Sequence, residues 1–358
     1  MNIAILDRYI ARHVILVILV VALALLGLDI FFSLVNELRA LGKGNYTLTT
    51  VMSFLALTAP SRLYAIFPWA ALLGTLIGMG ALANHRELVV MRTATISTFR
   101  IIWSVIKGAF ILTLLIVILG EGFAPMGERI AHNQRTLALS GGQSIETLYG
   151  MWVRQGLDFI HIQTVKANGE LIGVTRYQFD SDQQLKEVTV AKTAVKQPDG
   201  SWQLNDIRGT RFFANHTRII QEKTQTIPHL LETEILETAA VKHPEKLSLR
   251  ALWRTIQHRS KNELNAKVYE LAFWNKVFQP LLILLMVFLA MPFVFGPLRS
   301  ASMGLRILVG IFVVYLFHTL NGLFAPLAVV YQAPPLLAVL TPLCIFGLMG
   351  YFLIIRVK

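Results

Sequence analysis

The sequence predicts a membrane α-helical bundle of six spans, arranged three and three, with an all-β domain inserted between the halves. Three observations carry this. Of 358 residues, 54% are hydrophobic and 15% charged, with mean hydropathy +0.57, too apolar for a single soluble domain. Apolar runs of about 20 residues, each enough to cross a bilayer as a helix, recur at both ends. Between them lies a polar stretch whose apolar residues alternate with period two.

The spans are predicted at 13–34, 63–82, 101–124, 271–295, 305–329 and 336–355. The first is too long for a cleaved signal-peptide core and reads as an uncleaved anchor, although Arg8 and Arg12 precede it. Residues 1–124 thus hold three spans and a short helix near 84–96. Residues 125–270 form the β domain with a connecting helix, and 271–358 hold the last three spans. Disorder, collagen and a disulfide scaffold are excluded, and the single cysteine, Cys344, sits inside the last span.

Charge supplies orientation. Residues 125–270 hold 19 Lys and Arg against 16 Asp and Glu, a net of +3, which leaves +9 of the chain's +12 in the membrane part. Arg8, Arg12, Arg86, Arg92, Arg100, Arg299, Arg306, Arg356 and Lys358 flank the spans on one side. Only Arg39, Lys43 and Arg62 flank them in the opposite short loops, so both termini are expected in the cytoplasm and the β domain across the membrane. No basic stripe interleaved with aromatics appears in 125–270, so no nucleic-acid partner is expected.

In the inserted domain, "DFIHIQTVK" (158–166) and "LIGVTRYQF" (171–179) flank Asn168-Gly169, a hairpin turn signal. "EVTVAKTAV" (187–195) and "SWQLNDI" (201–207) flank Pro198-Asp199-Gly200. About six to nine antiparallel strands follow, as a sandwich or jelly roll, and an open edge would suit strand addition to a partner. Ser248 then opens a helix with Leu249, Leu252, Trp253 and Ile256 on one face. His161, His216, His229 and His243 share no metal-ligand spacing, so no metal site is expected.

No Walker A pattern surrounds Gly42-Lys43, so the chain is not expected to hydrolyse nucleotide. The ionisable residues noted inside spans are Asp29, Lys107, Glu121 and His318. Lys107 and Glu121 lie near span ends. Asp29 and His318 suit either packing with one hydrogen bond each or a proton-relay pair, and neither has a serine nucleophile or second acid beside it. No catalytic residue is assigned. Gly74, Gly78 and Gly80 point to close helix packing, and Pro292 to a kink.

The loop 83–100 is more specific. Asn84 and Glu87 have capping-box spacing, and the helix they open places Leu88, Val89, Val90 and Met91 beside Arg92 in a segment otherwise facing water. Two readings suit it: a helix in the lipid interface, with arginines against headgroups, or a coupling helix seated in a groove of a separate cytoplasmic protein.

"LDRYI" (6–10), "RELVVMR" (86–92), "FAPMGE" (123–128), "FWNKVFQPL" (273–281), "FGPLRS" (295–300) and "MGLR" (303–306) resemble the LptF/LptG family of lipopolysaccharide-export permeases, and Leu-Val-Val-Met after Glu87 lies nearer its LptG side. The resemblance implies an ABC exporter of the bacterial inner membrane, extracting lipopolysaccharide from the outer leaflet and passing it to a periplasmic bridge. It implies an LptB-like ATPase dimer holding ATP and Mg, an LptF-like sister permease and an LptC-like bitopic protein, with no cofactor in this chain. It further implies a periplasmic jelly roll and gives Glu87 through Arg92 the role of ATPase coupling. Arg39, Lys43, Arg129 and Arg135, just outside the membrane, are candidate ligands for lipopolysaccharide phosphates, the alternative being surface charges balancing Glu37 and Glu128. Where members of the family often carry a lysine near the end of span one, this chain has Phe32 and Ser33. Two rival readings remain open: an intramembrane protease or lipid-modifying enzyme using Asp29 or His318, and a scaffold or mechanotransmission permease that moves no lipid.

Overall fold

The computed structural model describes residues 3–139, 145–165, 169–213, 215–228, 230, 244–262, 264–296, 302–331 and 333–356. Among them, six helices are long and apolar enough to cross a membrane. The first half holds α1 (Ile3–Leu38), α2 (Leu48–Asn84), the short α3 (Glu87–Thr93) and α4 (Thr98–Ile118), which passes through a π-helical turn (Leu119–Phe123) into α5 (Ala124–Leu139). The second half holds α6 (Leu249–Lys261), α7 (Lys267–Phe295), α8 (Met303–Val330) and α9 (Pro335–Ile355).

Every expected span is found, and all six helices start earlier than hydropathy alone indicates, the second and third spans with the most structural consequence. Residues 48–62 extend α2 because Val51, Phe54 and Leu55 bury against Tyr46 and Ala131, closing a second small core at one end of the bundle. The helix begun by α4 runs on past position 124 to Leu139, because α5 supplies Ala131 to that core. Four spans contain internal prolines, tolerated because neighbouring helices and side chains take up the freed backbone groups.

α2 is the most buried span, and α1 and α8 are the least. An added Cβ at Gly74 would lie 2.6 Å from the Ile18 backbone, so the bare glycine lets α1 seat directly on α2. Gly78 faces Val17 on the same contact, whereas Gly80 faces α8. The three small residues therefore serve two neighbours within the chain.

Six strands form the inserted sheet: β1 (Ile145–Gln155), β2 (Asp158–Val165), β3 (Leu171–Phe179), β4 (Leu185–Lys196), β5 (Trp202–Phe212) and β6 (Thr217–Ile227). All neighbours are antiparallel, in the order β1-β2-β3-β4-β5-β6. The domain is thus antiparallel β, as expected. The sequential order is a meander set by short connections, and the Greek-key crossover of a jelly roll in the strict sense is absent among the described strands. One face is core: Ile160, Ile162, Val174, Ala191, Trp202, Leu204 and Ile207 bury together. Gly169 and Gly200 take positive φ at the two turns read from sequence; Asn168 lies outside the described residues. Strand β6 is exposed along nearly its whole length and forms one sheet edge.

Ser248 caps α6, its Oγ accepting from the Ala251 N–H at 3.3 Å. Leu252 is buried, while Trp253 is half exposed and packs its ring on Phe273 of α7. A turn amide at the sheet end, Gly156 N–H, donates to Asn262 Oδ1 at 2.8 Å, linking the β1–β2 hairpin to the last turn of α6.

Candidate functional site

Two regions at opposite ends of the first helices carry the residues singled out from sequence. At one end α2 closes with Asn84, the chain turns through His85 and Arg86, and α3 begins at Glu87. Arg86 takes the left-handed conformation, φ 60°, and no side chain caps α3. The expected capping box is therefore not formed. Asn84 is the last residue of α2, and its Oδ1 instead accepts from Arg306 at 3.0 Å.

α3 divides its apolar residues between two faces. Leu88 and Met91 are buried in the main core, Met91 at 7% exposure, whereas Val90 is 65% exposed and Val89 and Arg92 lie beside it in the open. A small groove runs between α3 and the end of α7, lined by Ala83, Leu88, Val89, Arg92, Val294 and Phe295. Of the four apolar residues expected to need a partner, Leu88 and Met91 find theirs within the chain, because i, i+3 spacing puts both inward. The outward set is Val89, Val90 and Arg92. Glu87 accepts from the Tyr9 hydroxyl at 2.9 Å, tying α3 to the first turns of α1. Asp7 in the same stretch accepts from Ser104 at 2.8 Å and pairs with Arg100 of α4.

The four basic candidates gather at the other end, where the α1–α2 connection meets α5; the Asn45 N–H donates to the Ala138 carbonyl at 2.7 Å. Arg39, Lys43 and Arg129 are exposed. Arg135 is partnered within the chain. Its Nε donates to Glu37 at 2.9 Å and its guanidinium covers the Phe54 and Tyr46 rings at 5.7 and 6.0 Å. Glu37 also accepts from the Tyr46 hydroxyl at 2.8 Å, and burial with that bond pushes the Tyr46 pKa up to about 12. The balance of Arg135 against Glu37 weighed from sequence is what forms. Glu128 is balanced by others: Lys246 at 3.1 Å, His132 at 3.1 Å and the Ser61 hydroxyl.

Sequence reasoning passed over Lys276 and read Arg62 and Arg306 only as loop charges flanking the spans; their place within or beside apolar runs was the available signal. Lys276 of α7, 8% exposed, pairs with Glu121 at 2.8 Å, its ammonium 5.6 Å from the Tyr64 ring centre. Glu121 sits in the π-helical turn, and its other oxygen accepts from the Leu249 N–H at the start of α6, also at 2.8 Å. Arg62 reaches from α2 to Asp29 of α1 at 2.7 Å and bonds the Ser33 hydroxyl. Arg306, fully buried, spans α8 and α2.

These pairings separate the residues of the enzyme reading. Asp29 is held by Arg62, while His318, exposed on α8, meets the edge of the Trp69 ring at 5.6 Å. Lys107 is exposed. Among the described residues no group of three or more His, Cys, Asp or Glu could hold a metal ion, and of the four histidines noted, His229 and His243 lie outside those residues.

Six spans, an antiparallel sheet inserted after the third, and a short helix with an exposed apolar edge mark a multi-pass membrane protein with an inserted β domain. Residues 8–356 match the model of the family "Lipopolysaccharide export system permease LptF/LptG", and the chain belongs to that family. It is 33% identical over 359 residues, 98% of each chain, to the "Lipopolysaccharide export system permease protein LptG" of Escherichia coli strain K12. It is also 33% identical over 358 residues, again 98% of each, to the protein of the same description from Haemophilus influenzae. The chain is accordingly a transporter subunit of the lipopolysaccharide export system and a multi-pass inner-membrane protein.

Proposed function

We propose that this chain is the membrane subunit through which a separate ATPase dimer drives lipopolysaccharide out of the outer leaflet of the inner membrane. ATP and Mg are held by that dimer, docked on α3. A sister permease completes the pore and a bitopic LptC-like protein adds a further transmembrane helix. The termini and α3 lie in the cytoplasm and the sheet in the periplasm, where it passes lipopolysaccharide to a bridge toward the outer membrane. The family match across nearly the whole chain carries this reading.

The geometry supports it in two places. Val89, Val90 and Arg92 offer a docking edge on a helix whose other face is locked into the bundle core. Arg39, Lys43 and Arg129 supply exposed positive charge at the opposite end, where phosphates of the glycolipid would sit while its acyl chains lie against α1 and α8. Asp29 is held by Arg62 and His318 meets Trp69, so the two do not form a proton-relay pair, and an enzyme reading would rest on one of them alone.

Copurification tests the assembly. Tagged chain drawn from its own membranes in mild detergent is expected to bring an ATPase and a second permease of similar length. Recovery of the folded chain alone, or catalysis on lipid or peptide with no ATPase present, would overturn the reading.

A further inference from the structure

Arg306 is among the largest fully buried side chains of the molecule, and it lies one turn into α8, close to the corner that leads into α3. Its two terminal nitrogens grip α2 at points one turn apart: Nη1 donates to the Gly80 carbonyl at 2.7 Å and Nη2 to Asn84 Oδ1 at 3.0 Å. A planar guanidinium bridges two acceptors in this way, where an ammonium acts as a single point charge. The fit is close, for a Cβ on Gly80 would lie 2.6 Å from Nη1 and 2.9 Å from Cδ. Further along, Gly310 of α8 meets Leu72, Leu73 and Leu76 and His318 meets Trp69, so α8 rests on α2 along its length, with Arg306 gripping the end nearest α3.

The corner itself has little slack. Only His85 and Arg86 separate α2 from α3, and Arg86 makes a sharp left-handed turn. Leu88 and Met91 anchor the inner face of α3 in the core. A force applied to the outer edge of α3 therefore passes into the last turn of α2, where Asn84 and Gly80 are held by Arg306. α8 is otherwise one of the two least buried spans.

We propose that Arg306 is a positioning residue that transmits displacement of α3 to α8, with Asn84 as its counterpart at the corner. The proposal rests on the reading that α3 seats the ATPase. It makes Asn84 an acceptor in a relay, and makes the length and fork of the Arg306 side chain part of coupling.

The test uses the full complex of this chain, its ATPase and its sister permease in vesicles loaded with lipopolysaccharide, measuring ATP hydrolysis and lipopolysaccharide release side by side. Arg306→Met and Asn84→Ala are expected to keep the ATPase bound and hydrolysis within twofold while release falls at least tenfold. Asn84→Asp, which keeps an acceptor for the guanidinium, is expected to stay within twofold of the parent in both. A merely structural role would lower the amount of complex and leave the ratio of release to hydrolysis unchanged. Release that tracks hydrolysis in both Arg306→Met and Asn84→Ala overturns the proposal, as does Asn84→Asp failing like Asn84→Ala. If Arg306→Met does not accumulate, the two variants at exposed Asn84 decide alone. A parent complex that binds no ATPase would instead remove the docking reading, and this role with it.

Discussion

Replacing Lys276 by methionine strips the buried partner from Glu121 and leaves a carboxylate 20% exposed among α4, α6 and α7. Breaking a buried pair from one side costs about 3–5 kcal/mol, because the remaining charge has lost its compensation. Glu121→Ala is expected to cost more. It orphans the ammonium and also the part-buried Leu249 N–H, which donates to Glu121 at 2.8 Å; a fully buried donor left unsatisfied costs about 1–3 kcal/mol, and this one adds less. The double change Glu121→Gln with Lys276→Met removes both charges yet keeps a side-chain oxygen for Leu249, so it should return to within about 1–2 kcal/mol of the parent. Unfolding in mixed micelles with rising dodecyl sulfate, followed by tryptophan fluorescence, reads these differences directly. A Lys276→Met chain within about 0.5 kcal/mol of the parent would refute the reasoning, since that is the range of an ordinary surface change. So would a double variant no more stable than the single one.

Three further predictions concern the two candidate regions. Val90→Asp should leave the isolated chain's stability within about 0.5 kcal/mol but cost several kcal/mol on docking, whereas Met91→Asp should damage the chain itself; ATPase retention and melting temperature separate them, and equal behaviour of the two would count against the division of faces. At the opposite end, single glutamate substitutions at Arg39, Lys43 and Arg129 should each change lipopolysaccharide binding by up to roughly 1 kcal/mol, while all three together should abolish crosslinking most strongly at low salt. Full crosslinking by the triple variant would move the cargo site elsewhere. Tyr46 holds its proton more tightly folded than unfolded, so its contribution is complete below its ordinary value of 10.0 and is lost as pH rises toward about 12. Tyr46→Phe should flatten that alkaline decline in melting temperature, and an unchanged decline would assign it to other groups.

The spans were legible because length and hydropathy suffice to mark a helix that must satisfy its backbone internally. Their extensions were not, since residues 48–62 and 125–139 become helical through a tertiary core around Tyr46, Phe54 and Ala131 that no local window contains. The turns at Gly169 and Gly200 announced the strands on either side, while exposed β6 carries too little alternation to be read. At the site, sequence found the apolar character of α3 but not which residues turn inward. It weighed Arg135 both as a phosphate ligand and as a charge balanced by Glu37 but had no local signal to choose between them, because the pair is made across 98 positions of sequence. The capping-box spacing of Asn84 and Glu87 was misleading for the same reason: a distant arginine on α8 takes the Asn84 side chain.

Nucleotide-dependent transfer of lipopolysaccharide tests the central claim most directly. Vesicles containing this chain with its sister permease and ATPase, incubated with a photocrosslinkable soluble acceptor, should deliver lipopolysaccharide to the acceptor when ATP and Mg are added and deliver none without ATP. Transfer that proceeds equally without ATP, or a complex that hydrolyses ATP and moves a partner protein but no lipopolysaccharide, would contradict it.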